Sequence, residues 1–306
     1  MRNHHTTHRH PVSRCLGVLT IAVVVTLTVA SSARAQSRGV LFASVTDAAG
    51  EPVMSLTPQD FQINEDGVAM TVVSAVLGTA PMKIAILVDN SEGIGNGVSA
   101  LRNGMTEFLN ILPPQHEVAM YSIAGNILPL VDFTTDRDEL RDAADGLFNR
   151  GGGARMVDGL TDTWDRRFDG DEPWPVIFMV ITDAPEGSGN INPDQFNEFV
   201  QDLTSKGAMV HTVILENQLG SVQSQISRIV SQATGGLHRS INSATALVET
   251  LAEFATRMGE HFNAMSSRYR IEYERPGDTP GAQIGAGIVG PDYTMQLFAD
   301  RRVPPQ

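Results

Sequence analysis

The segment Lys83-Ile-Ala-Ile-Leu-Val-Asp-Asn-Ser-Glu-Gly93 gives the first indication of how this chain folds. Its five consecutive apolar residues, 84–88, do not alternate with polar ones, which is typical of a strand buried on both faces of a parallel sheet. The run ends in Asp89 and Ser91. Because open α/β sheets bind ligands at the carboxyl ends of their strands, these two side chains predict a binding site at the edge of the sheet.

Strands and helices alternate after this segment. A second apolar run, 175–182, also ends in a carboxylate, Asp183, and a third run covers residues 208–215. The segments between the runs have helical spacing of apolar residues, as in 98–112. This alternation predicts an α/β fold with a doubly wound, mostly parallel sheet and helices on both faces, over residues 79–260.

Shorter segments with the composition of strands flank this region. Residues 36–78 predict a small all-β N-terminal module, in which Asp66-Gly67 is a strong hairpin signal. Residues 261–306 predict a C-terminal β-hairpin tail. In that tail, 269–273 and 293–298 alternate strictly and are expected to pair as a ribbon, which the N-terminal module can join.

Residues 1–35 have the features of a secretory signal peptide. Three arginines precede the uncharged, mostly apolar run 16–30, and Ala33-Arg-Ala35 matches the small-x-small cleavage pattern. The alternative is an uncleaved membrane anchor, but the run is short for a span of about 20 residues. We therefore expect a mature chain from Gln36, without membrane insertion, that is secreted or located in the periplasm or cell envelope.

The charge balance excludes some classes of partner. The chain has 22 basic and 35 acidic residues, a formal charge of −13, and removing the leader's four basic residues gives 18 − 35 = −17. Nucleic acid and anionic lipid reward clustered Lys and Arg, so neither is expected as a partner. Cys15 is the single cysteine and lies in the leader, so the mature chain depends on a packed core instead of disulfides.

Two motifs carry a resemblance to a known family. Asp89-x-Ser91 is similar to the start of Asp-x-Ser-x-Ser, the metal-ion-dependent adhesion site (MIDAS) of von Willebrand factor type A (VWA) domains. Residues 42–67 read Phe-x-x-Val-Thr-Asp-x-x-Gly-x-Pro-Val-x-x-Leu-Thr-x-x-Asp-Phe-x-x-x-Glu-Asp-Gly, which resembles the segment before the domain in a bacterial, exported group of VWA proteins. The resemblance implies a Rossmann-like fold and a non-enzymatic adhesion or protein-binding function.

The resemblance also implies a metal site on three loops. In the family, Asp and two hydroxyls on the first loop, Thr on the second and Asp on the third bind one divalent cation. Matching positions assign Asp89, Ser91 and Asp183 as metal ligands. Gly93 stands where the family has its second Ser, and Ala154 where it has Thr. Two of the three hydroxyl ligands are therefore missing, and the site is expected to be a degenerate MIDAS.

Two interpretations of this site remain open. In the first, the three ligands hold Mg²⁺ or another divalent cation weakly, and water, Glu92 or Glu186 completes the shell. In the second, Asp89 and Asp183 only bond to loop amides. Two facing carboxylates repel each other without a cation, and Arg155 is then the candidate for the neutralising neighbour.

We expect the function to reside in these loops. The predicted partner-binding residues are Asp89, Ser91, Glu92, Arg155 and Asp183, and the expected partner is an unidentified protein ligand. No catalytic residues are predicted, because the sequence has no nucleophile with a base at a recognisable spacing. The alternatives are a metal-dependent hydrolase using Asp89, Asp183 and a bound water, or a purely structural envelope protein.

Overall fold

A computed structural model describes residues 37–170, 172, 174–189, 192–216, 220–275, 277, 281–290 and 292–298. The predicted signal peptide, residues 1–35, lies outside the described residues. None of the helices in the described part of the chain has the length and apolar character needed to cross a bilayer.

The described residues contain twelve strands and six α-helices. The strands are β1 (Ser37–Thr46), β2 (Phe61–Glu65), β3 (Val68–Leu77), β4 (Lys83–Val88), β5 (Glu117–Ser122), β6 (Leu128–Thr134), β7 (Pro175–Thr182), β8 (Met209–Leu215), β9 (His238–Ile241), β10 (Arg268–Arg275), β11 (Ile284–Ile288) and β12 (Thr294–Phe298). The helices are α1 (Val98–Ile111), α2 (Arg137–Asp145), α3 (Met156–Arg167), α4 (Pro193–Ser205), α5 (Val222–Thr234) and α6 (Leu247–Ser266).

The central sheet has the strand order β6-β5-β4-β7-β8-β9. All neighbouring pairs are parallel apart from β5 and β6. Side chains of β4 enter two separate cores, because alternate residues of a strand point to opposite faces. Ile84, Ile86 and Val88 pack with α1, α2 and α6, whereas Ala85 and Leu87 pack with α3, α4 and α5. The predicted α/β fold with a mostly parallel sheet is therefore confirmed.

The last helix, α6, is longer than its sequence predicts. The predicted α/β region ends at residue 260, beside Gly259, but the helix continues through both positions to Ser266. Phe262 and Met265 are both buried and extend the apolar stripe into the core beneath the central sheet. The glycine does not end the helix, since packing of the following turn outweighs its low intrinsic propensity.

A second six-stranded sheet has the order β11-β2-β3-β10-β1-β12, and all its pairs are antiparallel. Its two edge strands approach each other, so the sheet curls around its own apolar core. The Asp66-Gly67 hairpin turn joins β2 to β3 as expected. Both residues have positive φ, 50° and 80°, which a two-residue hairpin loop of type I′ requires.

The prediction of a C-terminal β-hairpin is wrong. The two predicted strands do not pair with each other, because β1 lies between β10 and β12. A further strand, β11, forms between the two predicted strands and pairs with β2. The N-terminal and C-terminal segments therefore share one sheet. This arrangement places the apolar residues Leu41 and Ala43 of β1 opposite Ile271 and Tyr269 of β10, where all four are buried.

Candidate functional site

Three loops meet at the carboxyl edge of the central sheet. We define the first loop as residues 89–97, the second as 146–155 and the third as 183–189. The Glu92 amide in the first loop donates to Gly152 O in the second, at 3.0 Å. The Ala154 amide in the second loop donates to Pro185 O in the third, at 3.2 Å. Since β4 and β7 are adjacent and parallel, the structure brings the three predicted loops together.

Asp89 follows β4 and is only 1% exposed. Its Oδ1 accepts a hydrogen bond from the Ser91 amide at 2.9 Å. Its Oδ2 accepts from the Thr182 amide at 3.0 Å and also from the Thr182 hydroxyl. Both carboxylate oxygens are therefore bonded by donors of the protein, and Asp89 joins the ends of β4 and β7.

Thr182 is a site residue that the sequence alone does not reveal. The one indication of it in the sequence is a hydroxyl residue directly before Asp183, at the end of a buried run. A Cβ atom at Gly93 would lie 2.1 Å from Thr182 Oγ1 and 2.9 Å from the Ala184 Cβ. A side chain at position 93 therefore has no room, because the Thr182 side chain fills the space.

Ser91 is fully buried, and its Oγ has no hydrogen-bond partner among the described residues. A buried hydroxyl without a partner costs free energy, so this atom is an exception in the otherwise well-bonded first loop. Glu92, the next residue, is exposed at the rim. The first loop thus contains two buried candidate residues and one accessible candidate residue.

The second loop packs between the residues just after β5 and the third loop. Ala154 is fully buried and forms single β-bridges to Ala124, just after β5, and to Glu186 in the third loop. Gly153 approaches the third loop so closely that a Cβ there would lie 2.4 Å from Pro185 O. The position where the family resemblance places a threonine ligand is therefore occupied by a buried methyl group.

Three further charged candidates lie around these loops. The Arg155 guanidinium donates to Asp158 Oδ2, with Nε at 2.9 Å. Glu186 Oε1 accepts from the Met156 amide at 3.1 Å and from the Ser188 amide at 2.9 Å. Glu186 thereby caps α3 and ties it to the third loop. Asp183 is half-buried, and its amide donates to Leu215 O at 3.1 Å.

These side chains do not fit the five-ligand cation site of VWA domains. Mg²⁺ prefers six oxygen ligands in near-octahedral geometry. Here, positions 93 and 154 offer no side-chain oxygen, and both oxygens of Asp89 already accept hydrogen bonds. Among the described residues, no group of three or more His, Cys, Asp or Glu side chains is arranged to hold a metal ion.

Two histidines with strongly shifted pKa values lie at the opposite edge of the sheet. His116 directly precedes β5, and its Nδ1 accepts from the Met82 amide at 3.1 Å. His261 contacts Trp174, which directly precedes β7. Burial lowers the pKa of each histidine to about 4. Neither ring is placed to act as a base toward Ser91, which lies at the carboxyl edge.

Comparisons with known proteins identify the fold. No protein-family model and no curated protein matches the sequence. Among solved structures, a von Willebrand factor type A protein from Catenulispora acidiphila is 12% identical with a TM-score of 0.50, over 86% of this chain and 70% of that one. The von Willebrand factor domain of the type V pili tip protein Mfa5 from Porphyromonas gingivalis is 11% identical with a TM-score of 0.45, over 60% and 97%.

This chain therefore has the fold of a von Willebrand factor type A domain, as the Asp-x-Ser motif predicted. An aerotolerance-related membrane protein from Bacteroides fragilis is also similar, at 13% identity and a TM-score of 0.40, over 58% of this chain and all of that one. At such low identities, the likeness concerns the fold alone, and the function has to be argued from the loops themselves.

Proposed function

We propose that this chain is an exported, non-enzymatic, adhesion-type protein-binding module that contacts a protein partner through the three loops at the carboxyl edge. The direct hydrogen bonding of these loops to one another is the main support. It presents a preformed surface, and a preformed surface binds with a smaller loss of conformational entropy. Among the charged groups of the predicted set, Glu92 is exposed, and Arg155 and Asp183 are half-buried. Asp89 and Ser91 are buried and support the loops from inside.

The proposal includes a degenerate cation site. Thr182 bonds to Asp89 and fills the space beside Gly93, so the protein itself supplies contacts at the end of β4. We expect divalent cations to bind weakly or not at all, and partner binding to proceed without them.

A binding function is favoured over a hydrolase by the state of the site residues. Asp89 is bonded through both oxygens, which leaves it poorly placed to activate a water molecule. Ser91 is fully buried, so substrate cannot approach its hydroxyl without movement of the loop. Both the geometry and the missing nucleophile and base pattern support the proposed absence of catalysis.

Retention of envelope proteins on the immobilised chain, residues 36–306, tests this proposal. The envelope proteins are extracted from the source organism. The amount retained is compared between the wild-type chain and the double variant Glu92→Ala/Arg155→Ala, here termed the rim variant. We expect the rim variant to lose retained proteins that the wild type keeps, with or without EDTA.

Arg166→Ala is the matched control, since Arg166 is exposed on α3 and forms only a long ion pair of 3.8 Å with Asp162. Equal retention of envelope proteins by the wild type and by the rim variant would contradict the proposal. So would substrate turnover that Asp89→Ala abolishes, measured in a broad hydrolase screen with Mg²⁺ or Mn²⁺.

A further inference from the structure

The second loop is held rigidly by residues beneath it. Asn90, the middle residue of Asp-x-Ser, donates from Nδ2 to Phe148 O at 2.7 Å and accepts the Arg150 amide at its main-chain oxygen, at 2.9 Å. The Ser122 hydroxyl fixes the Asn90 side chain by donating to Oδ1 at 2.6 Å. From α1, Arg102 Nε donates to Leu147 O at 2.6 Å. The loop backbone is therefore pinned from two sides.

This pinned backbone presents an exposed aromatic ring. The Phe148 side chain is 54% exposed, although both neighbouring peptide groups are fixed. The Arg150 guanidinium lies 5.5 Å from the ring centroid, a cation–π distance, and Arg150 is also exposed. Aromatic and arginine side chains are the types most enriched among the residues that dominate binding energies. Because the backbone that carries them is fixed by hydrogen bonds, the loop itself loses little freedom when a partner binds.

The arginines of this region have no carboxylate partner in the described part of the chain. Neither Arg102 nor Arg150 forms an ion pair there. The terminal nitrogens of a guanidinium can bind a carboxylate through two parallel hydrogen bonds. The Arg150 guanidinium lies beside the exposed ring and Arg102 bonds to the adjacent Leu147 carbonyl, so this surface complements an acidic side chain next to an apolar one.

We propose that Phe148, Arg150 and Arg102, here termed the Phe148 rim, bind a segment of the protein partner in which an Asp or Glu lies beside a large apolar side chain. The apolar side chain covers the Phe148 ring, and the carboxylate bonds to the guanidinium groups. This inference rests on the proposed function, because it names the part of the loop surface that makes the contact and the chemistry that it recognises.

Selection from a displayed library of random linear peptides tests this inference, with the chain of residues 36–306 as the bait. We expect the enriched peptides to share an acidic residue within two positions of an aromatic or large aliphatic residue. Arg150→Gln and Phe148→Ala are each expected to weaken binding of these peptides about tenfold or more, measured by fluorescence anisotropy. Arg150→Lys keeps the charge without the planar fork and should show an intermediate loss.

The control variant is Arg166→Gln, which removes an exposed arginine from α3 and should leave peptide affinity unchanged. Unfolding curves of Phe148→Ala and Arg150→Gln should match the wild type, because both side chains are exposed. The inference would be overturned if the selection enriched no peptides, or if the enriched peptides lacked an acidic residue. Equal peptide affinity of the wild type and Arg150→Gln would overturn it as well. If Glu92→Ala/Arg155→Ala abolishes retention of envelope proteins while Phe148→Ala and Arg150→Gln leave it intact, the inference fails and the proposed function stands.

Discussion

Gly93 and Thr182 illustrate how the carboxyl edge depends on single residues. The sequence shows that a serine is absent from position 93, but it does not show what takes its place. The parallel pairing of β4 with β7 brings Thr182 against Asp89 and against the Cα of Gly93. The absence of a side chain at position 93 and the hydroxyl at position 182 are thus two parts of one packing arrangement.

Gly93→Ser should destabilise the protein. The new Cβ would lie 2.1 Å from Thr182 Oγ1, so the loop or the threonine has to move. We expect a loss of about 1–3 kcal/mol in the free energy of unfolding, as for other overpacked sites. Urea denaturation of residues 36–306 measures it.

Gly189→Ser is the matched control, because a Cβ at Gly189 meets no atom of the described residues within 4 Å and the residue is exposed. That variant should unfold like the wild type. If Gly93→Ser were as stable as Gly189→Ser, the close contact between Gly93 and Thr182 would be refuted.

The strands of the second sheet are joined by a buried ion pair in addition to their ladders. Glu65 at the end of β2 accepts from Arg275 Nε and Nη2 and from the Tyr273 hydroxyl. The ion pair thus joins a residue of the N-terminal segment to a residue of the C-terminal segment. The hydrogen bond from Arg275 is the main cause that holds the pKa of Glu65 below its usual value. The ion pair therefore helps to attach β10 to the N-terminal strands.

Arg275→Ala should weaken this attachment strongly. It leaves the Glu65 carboxylate, 5% exposed, without its cationic partner. We expect a loss of about 2–3 kcal/mol in the free energy of unfolding at neutral pH, measured by urea denaturation. Because the depressed pKa of Glu65 stabilises the fold only while the carboxylate is ionised, the deficit should shrink as pH falls below about 4.5.

The comparison variant is Arg239→Ala, which breaks an exposed pair with Glu253. Exposed pairs contribute less than about 1 kcal/mol, so this variant should lose little stability. Equal losses for the two substitutions would contradict the role given to the buried pair.

Individual elements differed in how well the sequence predicted them. β4, β7 and β8 were identifiable because unbroken apolar runs of strand length have one stable environment, the interior of a parallel sheet. The N-cap of α2 is Asp136, a residue type that commonly begins helices, and its side chain accepts from the Asp138 and Glu139 amides. The tail strands were correctly located but wrongly paired, because strict alternation defines a buried face without defining the partner strand.

At the scale of the whole molecule, the central sheet buries histidine side chains in their neutral form. Burial lowers the pKa of His116 to about 4 and that of His211 to about 3. Their Nδ1 atoms accept hydrogen bonds from the Met82 and Leu237 amides, which requires the unprotonated form. Protonation therefore competes with the native structure.

Stability should fall in acid before the carboxylates titrate. The unfolded histidines titrate near pH 6.5, whereas the folded ones bind protons only near pH 4 or below. Between these values the unfolded state binds more protons, so the free energy of unfolding decreases as pH decreases. We expect a loss of roughly 2 kcal/mol for each of these two histidines between pH 7 and pH 5, measured by urea denaturation.

His116→Asn keeps an acceptor for the Met82 amide and removes one titrating group. Its stability should therefore depend less steeply on pH than that of the wild type. Identical slopes in the two proteins, or a wild-type stability that is constant from pH 7 to pH 5, would show that these histidines do not govern acid sensitivity.

Only part of the candidate site could be predicted from the sequence. The sequence placed Asp89, Ser91 and Asp183 on loops that do meet, because the carboxyl ends of neighbouring parallel strands share one edge. The hydrogen bonds made by Thr182, Glu186 and Asn90 could not be predicted. They join residues that lie 30 or more positions apart in the sequence. Such contacts leave no periodic signal in a single sequence.

Titration calorimetry of residues 36–306 with Mg²⁺, Mn²⁺ and Ca²⁺ tests most directly whether protein contacts have replaced the cation at this site. We predict heats too small to fit, or dissociation constants in the upper micromolar to millimolar range, as expected for a site short of ligands. A stoichiometric cation bound at low micromolar concentration, and lost in Asp89→Ala, would contradict this account.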